Sequence, residues 1–307
     1  MRHPRGGDLT GRLHPEWASR PERGHEFIIR CGVRIALALG RPAAWLLLHA
    51  VSLYFLAVSP GDRAASRQFL RKALGREPGL ADTFRHFHAF ATTILDRVYL
   101  LNGQYDGFDV RAHGEEIVAG MLAQGEGCLL LGSHIGSFEI VRFMGQKVPG
   151  PRVSLVMYEQ GTKTLNTVLN AINPKLAMRV IALGKPQSML QLERALADGE
   201  FVGMLADRTI EGDSTVSRAF FGSPARFPVG PFRIAAMLRR PVVLMFGIYR
   251  GGRRYDIYFE MLADFGRVDR AQRDDAIEKA LRMYVGRLEH YCRLAPYNWF
   301  NFYDYWK

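Results

Sequence analysis

The residues able to do chemistry concentrate in one short segment, CLLLGSHIGSFE, from Cys128 to Glu139. His134 is the group there that can take and return a proton near neutral pH. Glu139 follows at H-x4-E spacing. A carboxylate on one ring nitrogen fixes the imidazole tautomer and leaves the other nitrogen free as a base. Ser133 and Ser137 flank the histidine. The order G-x-H-x-G nevertheless puts a histidine where the G-x-S-x-G elbow carries its nucleophile, so the pattern favours a base over a serine nucleophile. The plainer alternative is a structural histidine–carboxylate pair.

That chemistry needs a strand and a turn to hold it. The apolar run Cys128 to Leu131 reads as a buried parallel strand, broken by Gly132 and Ser133. Ile135 to Arg142 reads as the first turns of a helix, so His134 falls on the ligand-facing edge of an α/β sheet. The helix start favours developing negative charge, and Gly136 lets a substrate approach the backbone closely.

The wider chain supplies the sheet. Glu115 to Gln124 reads as a helix closed by Gly125. Val153 to Tyr158, Met178 to Ala182 and Phe201 to Leu205 read as strands. Lys163 to Ala171 and Gln187 to Asp198 read as the helices between them, and Tyr105 to Val110 as a short extra strand. Such alternation predicts βαβ units: an α/β fold with a mostly parallel, mixed sheet flanked by helices. Phe220 to Pro231 reads as a loop by its glycines and prolines, with Pro231 opening a helix to Leu238. Val242 to Tyr249 and Tyr255 to Phe259 form an expected hairpin across Gly251-Gly252, followed by a long amphipathic helix, Ala271 to Cys292.

The N-terminal third has another character. Residues 1–24 read as a flexible basic arm, with no signal peptide expected, and residues 25–104 as a helical, membrane-associated region ahead of an α/β domain at 105–307. Ala43 to Ser59 carries no charge and is flanked by arginines on both sides. It suits a helix lying on anionic headgroups, a short transmembrane anchor, or a core helix. Leu80 to Leu101 reads as an amphipathic helix. Its His86 and His88 point to different sides and cannot chelate one metal together, so no metal site is expected. The aromatic tail from Tyr297 to Lys307 suits either a membrane interface or a cover over the core.

The net charge is +11 over 307 residues. It favours anionic partners such as a membrane surface, an acidic carrier or a phosphorylated substrate. No zinc finger, RNA-recognition signature or dense basic run argues for nucleic acid. The three cysteines, Cys31, Cys128 and Cys292, sit far apart in apolar contexts and read as reduced core residues of a reducing compartment.

Three blocks in order, LLLGSHIGSFEIVR, ALADGEFVGMLADR and FFGSPARFPVGPFRIAAMLRRPVV, resemble the late acyltransferases of lipid A biosynthesis, within the wider H-x4-D/E glycerolipid acyltransferase superfamily. The resemblance implies an acyltransferase at the cytoplasmic face of a bacterial inner membrane, without a cofactor. It would move a fatty acyl chain from an acyl carrier protein or acyl-CoA thioester to a hydroxyl of a membrane lipid. His134 would be the general base and Glu139 its orienting acid, with oxyanion donors near the helix start or a nearby cation. Substrate contacts would fall at Ser133, Gly136, Asp207, Arg208, Phe221, Gly222, Pro224 and Arg226. Where the family shows Tyr-Arg-Pro, this chain has Tyr158-Glu159-Gln160; Arg208 or Lys163 is the expected substitute cation. That departure leaves two alternatives: an acyltransferase for glycerol phosphate or another non-lipid-A lipid, and a catalytically altered lipid-binding protein.

Overall fold

The structure, a computed structural model, describes residues 23–141, 152–158, 172–173, 179–184, 186–209 and 212–307. Three helices come first: α1 (Arg23–Val58), α2 (Pro60–Leu74) and α3 (Leu80–Leu101). Strand β1 (Asp109–His113) and helix α4 (Glu115–Ala123) lead into β2 (Leu129–Gly132). Then come β3 (Val153–Tyr158), β4 (Val180–Leu183), α5 (Pro186–Ala197) and β5 (Phe201–Leu205). A ribbon of β6 (Thr215–Phe220) and β7 (Ser223–Pro228) precedes α6 (Gly230–Met237), β8 (Pro241–Gly251), β9 (Arg254–Asp264) and α7 (Arg273–Leu294). The expected helix from Lys163 to Ala171, Glu159 and most of the N-terminal arm lie outside the described residues.

The described residues form a seven-stranded sheet in the order β1-β9-β8-β2-β5-β3-β4. All neighbours are parallel except the β8–β9 hairpin, which makes the sheet mixed, as the alternation predicted. β2 lies inside it, between β8 and β5. Its apolar run feeds both faces. Leu129 and Leu131 join one core with α2, α5, α6 and α7; Cys128 and Leu130 join the other with α1, α3 and α4. Side chains alternate along a strand, so a strand covered on both faces has no polar position. Burying each such leucine contributes about 1.5–3 kcal/mol.

The apolar helix α1 bends at Gly40, just before Pro42. Past the bend, the buried Arg41 pairs with the buried Asp96 of α3 at 2.6 Å, and the Tyr255 hydroxyl donates to the same carboxylate at 2.7 Å. This network ties α1 to the sheet. Along the outside, Leu46, Leu47, Tyr54 and Phe55 remain exposed. By length and composition, Arg30–Val58 can cross a membrane, and 22% of its most apolar window is buried.

Three elements depart from expectation. β1 starts at Asp109 instead of Tyr105. The segment after His134 is not helical at once: Ile135 and Gly136 form bridges with Trp299 and Gly247. The Phe220–Pro231 stretch is not a loop. Its first half closes the antiparallel β6–β7 ribbon through Phe221 and Gly222, both at positive φ (52° and 73°). Two positive φ values make a primed turn, whose twist suits a tight hairpin. Phe221 tolerates that conformation because its N–H donates to Glu289 at 2.6 Å and Arg293 lies over its ring. Pro224 and Pro228 survive because a two-stranded ribbon is all edge.

The aromatic tail is packed. Trp299 is fully buried, and Phe300 and Tyr305 are nearly so. Cys128 and Cys292 are free and buried; Cys31 is free and only partly covered.

Candidate active site

The sheet register brings the reacting groups together. Gly132 of β2 pairs with Leu205 of β5 in parallel. His134 and Asp207 each follow by two residues, so they emerge side by side at the carboxyl edge of the sheet. The Nδ1–H of His134 donates to Asp207 Oδ1 at 2.8 Å, and the His134 backbone N–H donates to Oδ2 at 3.0 Å. Nε2 makes no hydrogen bond among the described residues, and the side chain is 29% exposed. The tyrosine hydroxyl of Tyr284 donates to Gly132 O at 2.9 Å and braces the strand end.

The C-terminal tail completes the surroundings of Asp207. Trp299 Nε1–H and Asn301 Nδ2–H donate to Oδ2 at 3.0 and 3.2 Å. The Tyr305 hydroxyl donates to the Asp207 carbonyl at 2.7 Å. The tail also holds the turn: Phe300 N–H donates to His134 O, and Gly136 N–H to Asn298 O, both at 2.7 Å. His86 supports Trp299 from behind, its Nε2–H donating to Trp299 O at 2.9 Å while Ser66 bonds Nδ1 at 2.8 Å.

Glu139 does not meet the imidazole as the spacing suggested. It pairs with Arg97 of α3 at 2.8 Å and accepts from the Ser137 hydroxyl at 3.3 Å. The extended bridges at Ile135 and Gly136 carry the chain away from His134 before the first helical turn at Phe138. Gly136 is not an open approach for substrate either. It sits at φ 62°, and a Cβ there would lie 1.8 Å from Gly247 O. The expected backbone donors beside it are also occupied, Gly136 N–H by Asn298 O and Ser137 N–H by Gly247 O at 2.8 Å.

The electrostatics suit a base. Burial pushes the His134 pKa below its usual value; Asp207 works against that shift, while Arg208 and Arg97 reinforce it. The ring is therefore neutral at neutral pH. Burial disfavours the Asp207 charge, but His134, Arg208 and the backbone donor outweigh it and hold the carboxyl below the usual carboxylate range. An ionised, fully bonded Asp207 fixes the proton on Nδ1 and leaves the Nε2 lone pair free.

The other expected positions spread out. Ser133 is buried beside His134, its hydroxyl without a partner among the described residues. Arg208 grips the tail, its Nε donating to Asn301 Oδ1 at 2.6 Å and Nη2 to Phe300 O at 2.8 Å. Phe221, Gly222, Pro224 and Arg226 lie on the β6–β7 ribbon, away from the imidazole. The ribbon packs on the tail through Phe220, edge-on to Trp299 at 5.3 Å, and through Phe221, which shares Phe69 with the same indole. Glu159 and Lys163 lie outside the described residues. Among the described residues, no cluster of three or more metal-ligating side chains occurs.

Sequence reasoning missed Trp299, Asn301, Asn298 and Arg97. The tail reads as generically aromatic, and Arg97 as one more polar position on α3. The only available signal was the interleaving of Asn298 and Asn301 with the aromatics, which a lipid interface does not require.

A family model for bacterial lipid A biosynthesis acyltransferases matches residues 84–307. No curated protein matches the chain.

Proposed function

Because the chain belongs to the bacterial lipid A biosynthesis acyltransferase family and is an acyltransferase, we propose that His134 and Asp207 form its base–orienter pair. The acyl donor is an acyl carrier protein or acyl-CoA thioester, and the acceptor a hydroxyl of a membrane glycolipid. One observation carries this reading: Nδ1 of a neutral imidazole is committed to a buried carboxylate while Nε2 has no hydrogen-bond partner among the described residues.

In the reaction, His134 Nε2 takes the acceptor hydroxyl proton as that oxygen attacks the thioester carbonyl. The carbonyl π bond opens to an oxyanion. Its collapse restores the carbonyl and breaks the carbon–sulfur bond, and the imidazolium proton passes to the leaving thiolate. Asp207 holds the ring and stabilises the imidazolium. Arg97, held at 2.8 Å by Glu139 four residues past the turn that starts at Ile135, is the cation we assign to the oxyanion. The carboxylate of H-x4-E thus positions Arg97. Arg208 serves the tail instead. No acyl-enzyme is needed, because the thioester is already activated. Neither serine suits a nucleophile: the Ser137 hydroxyl bonds Glu139, and Ser133 has no hydrogen bond to the base.

The exposed apolar face of α1 and the +11 charge support work at an anionic bilayer surface. Arginines on both sides of the apolar stretch give no orientation, so it is from the family that we place the enzyme at the cytoplasmic face of an inner membrane. The test is transfer of a labelled acyl chain from carrier protein or coenzyme A to a total lipid extract. Wild-type chain forms labelled lipid and His134→Ala does not; unchanged turnover in that variant overturns the assignment.

A further inference from the structure

A concave site that His134 does not line lies between α1, α3, the end of β8 and the start of the tail. It is a cavity of about 480 Å³. Trp45 and His49 come from α1, Phe84, Arg85 and His88 from α3, and Tyr249 and Arg250 from β8. The reaction assigned to His134 uses none of them.

Its chemistry is specific. The His49 and His88 rings sit 4.2 Å apart, and Trp45 stands edge-on to both, at 4.6 and 5.4 Å. His88 Nε2 is buried without a hydrogen-bond partner among the described residues, while Nδ1 lies 3.5 Å from the Thr92 hydroxyl. Lone buried ring nitrogens are costly unless a ligand or water meets them. Among the described residues, no carboxylate lines the cavity. Arg85 is exposed and has no carboxylate partner among the described residues, while the Tyr297 hydroxyl on the same wall donates to Asp82 at 2.7 Å. Arg250 shares its charge with Asp256 at 2.7 Å. The walls are therefore aromatic, the open charge is positive, and two imidazoles converge without an acid between them.

Location narrows the ligand further. Leu46 and Leu47, on the same helical turn as Trp45, face outward and are exposed. The cavity thus sits directly behind the helix face best suited to lipid. A soluble anion would need the cation but not the aromatic walls or the apolar neighbour.

We propose that this cavity binds the phosphate head of an amphiphilic lipid, with Arg85 as the charge partner and His88 Nε2 as a buried donor. Trp45 and Phe84 line the first apolar segment below the phosphate. Asn298 forms part of the wall and also accepts from Gly136 N–H, which links an occupied cavity to the turn that carries His134.

The test is equilibrium binding of labelled dihexanoyl phosphatidic acid to the full chain in detergent. Binding needs no turnover, so its failure is separable from failure of the acyl-transfer reading. Saturable binding is expected. Dihexanoyl phosphatidylcholine and inorganic phosphate should compete at least about tenfold more weakly. An Arg85→Gln/His88→Phe variant should lose about tenfold or more in affinity, while His134→Ala should keep it. Equal competition by the zwitterionic lipid or by free phosphate, or full affinity in the double variant, overturns the proposal. Should that variant not fold, a photoreactive phosphatidic acid on the unmodified chain gives the answer. Labelling within 45–49 or 84–89 supports the site, and labelling only elsewhere overturns it.

Discussion

Two carboxylates compete for His134, and their surroundings differ. Asp207 is fully buried, bonded through both oxygens to fixed donors from the backbone, the imidazole, Trp299 and Asn301. Glu139 keeps some exposure and meets a long, charged side chain, Arg97. A carboxylate locked by neutral and backbone donors is suited to orient a ring. One paired with a guanidinium is suited to place a positive charge. Their distances along the chain pointed the other way, since Asp207 lies 73 residues from the histidine.

The sharpest way to break this comparison is to neutralise each acid in turn. Asp207→Asn should lower kcat by about 10³–10⁴, because the ring loses its tautomer. Glu139→Gln should lower it by only about 10–100-fold, through a displaced Arg97. The reverse order in steady-state assays would return the orienting role to Glu139. The wild-type pH profile sharpens the same point. The base works unprotonated, and burial lowers its pKa, so kcat/KM should fall with acidification only below the ordinary histidine value near 6.5.

A smaller effect separates the tail from a mere cover. Trp299→Phe keeps the ring packing and deletes one donor to Asp207. It should cost about tenfold in kcat with KM unchanged. An unaltered kcat beside a lowered melting temperature would make Trp299 purely structural.

The smallest effect concerns stability. Burial lowers the His86 pKa to about 4, with the bond to Trp299 O opposing the shift. The unfolded chain therefore binds this proton first as pH falls from about 6.5. The His86 contribution is intact above that pH and lost as acidification proceeds toward pH 4. Denaturant melts at pH 7 and pH 4.5 should show a smaller acid loss in His86→Gln than in wild type; an equal loss removes His86 as the titrating group.

Much of the scaffold was legible along the chain. Strands buried on both faces announce themselves as apolar runs, which is why β2 and β5 fall within a residue of where expected; β3 matches its expected span although Ser154 interrupts its apolar run. Leu80 to Leu101 has a helical period and ends as read. The β6–β7 ribbon was not legible, because its prolines and glycine count as loop residues until pairing shows that they occupy edge and turn positions. The tail was equally ambiguous, since aromatic composition serves a lipid interface and a packed core alike.

The sequence by itself determined that a histidine leaves a buried strand at the edge of a parallel sheet, because side-chain period and chain breaks are local properties. Only the tertiary structure decided which acid meets it. That choice depends on the register between β2 and β5, and on backbone donors at Gly136 and Ser137 being taken by the tail and β8. Those hydrogen bonds form between segments far apart in the chain, and no local spacing encodes them.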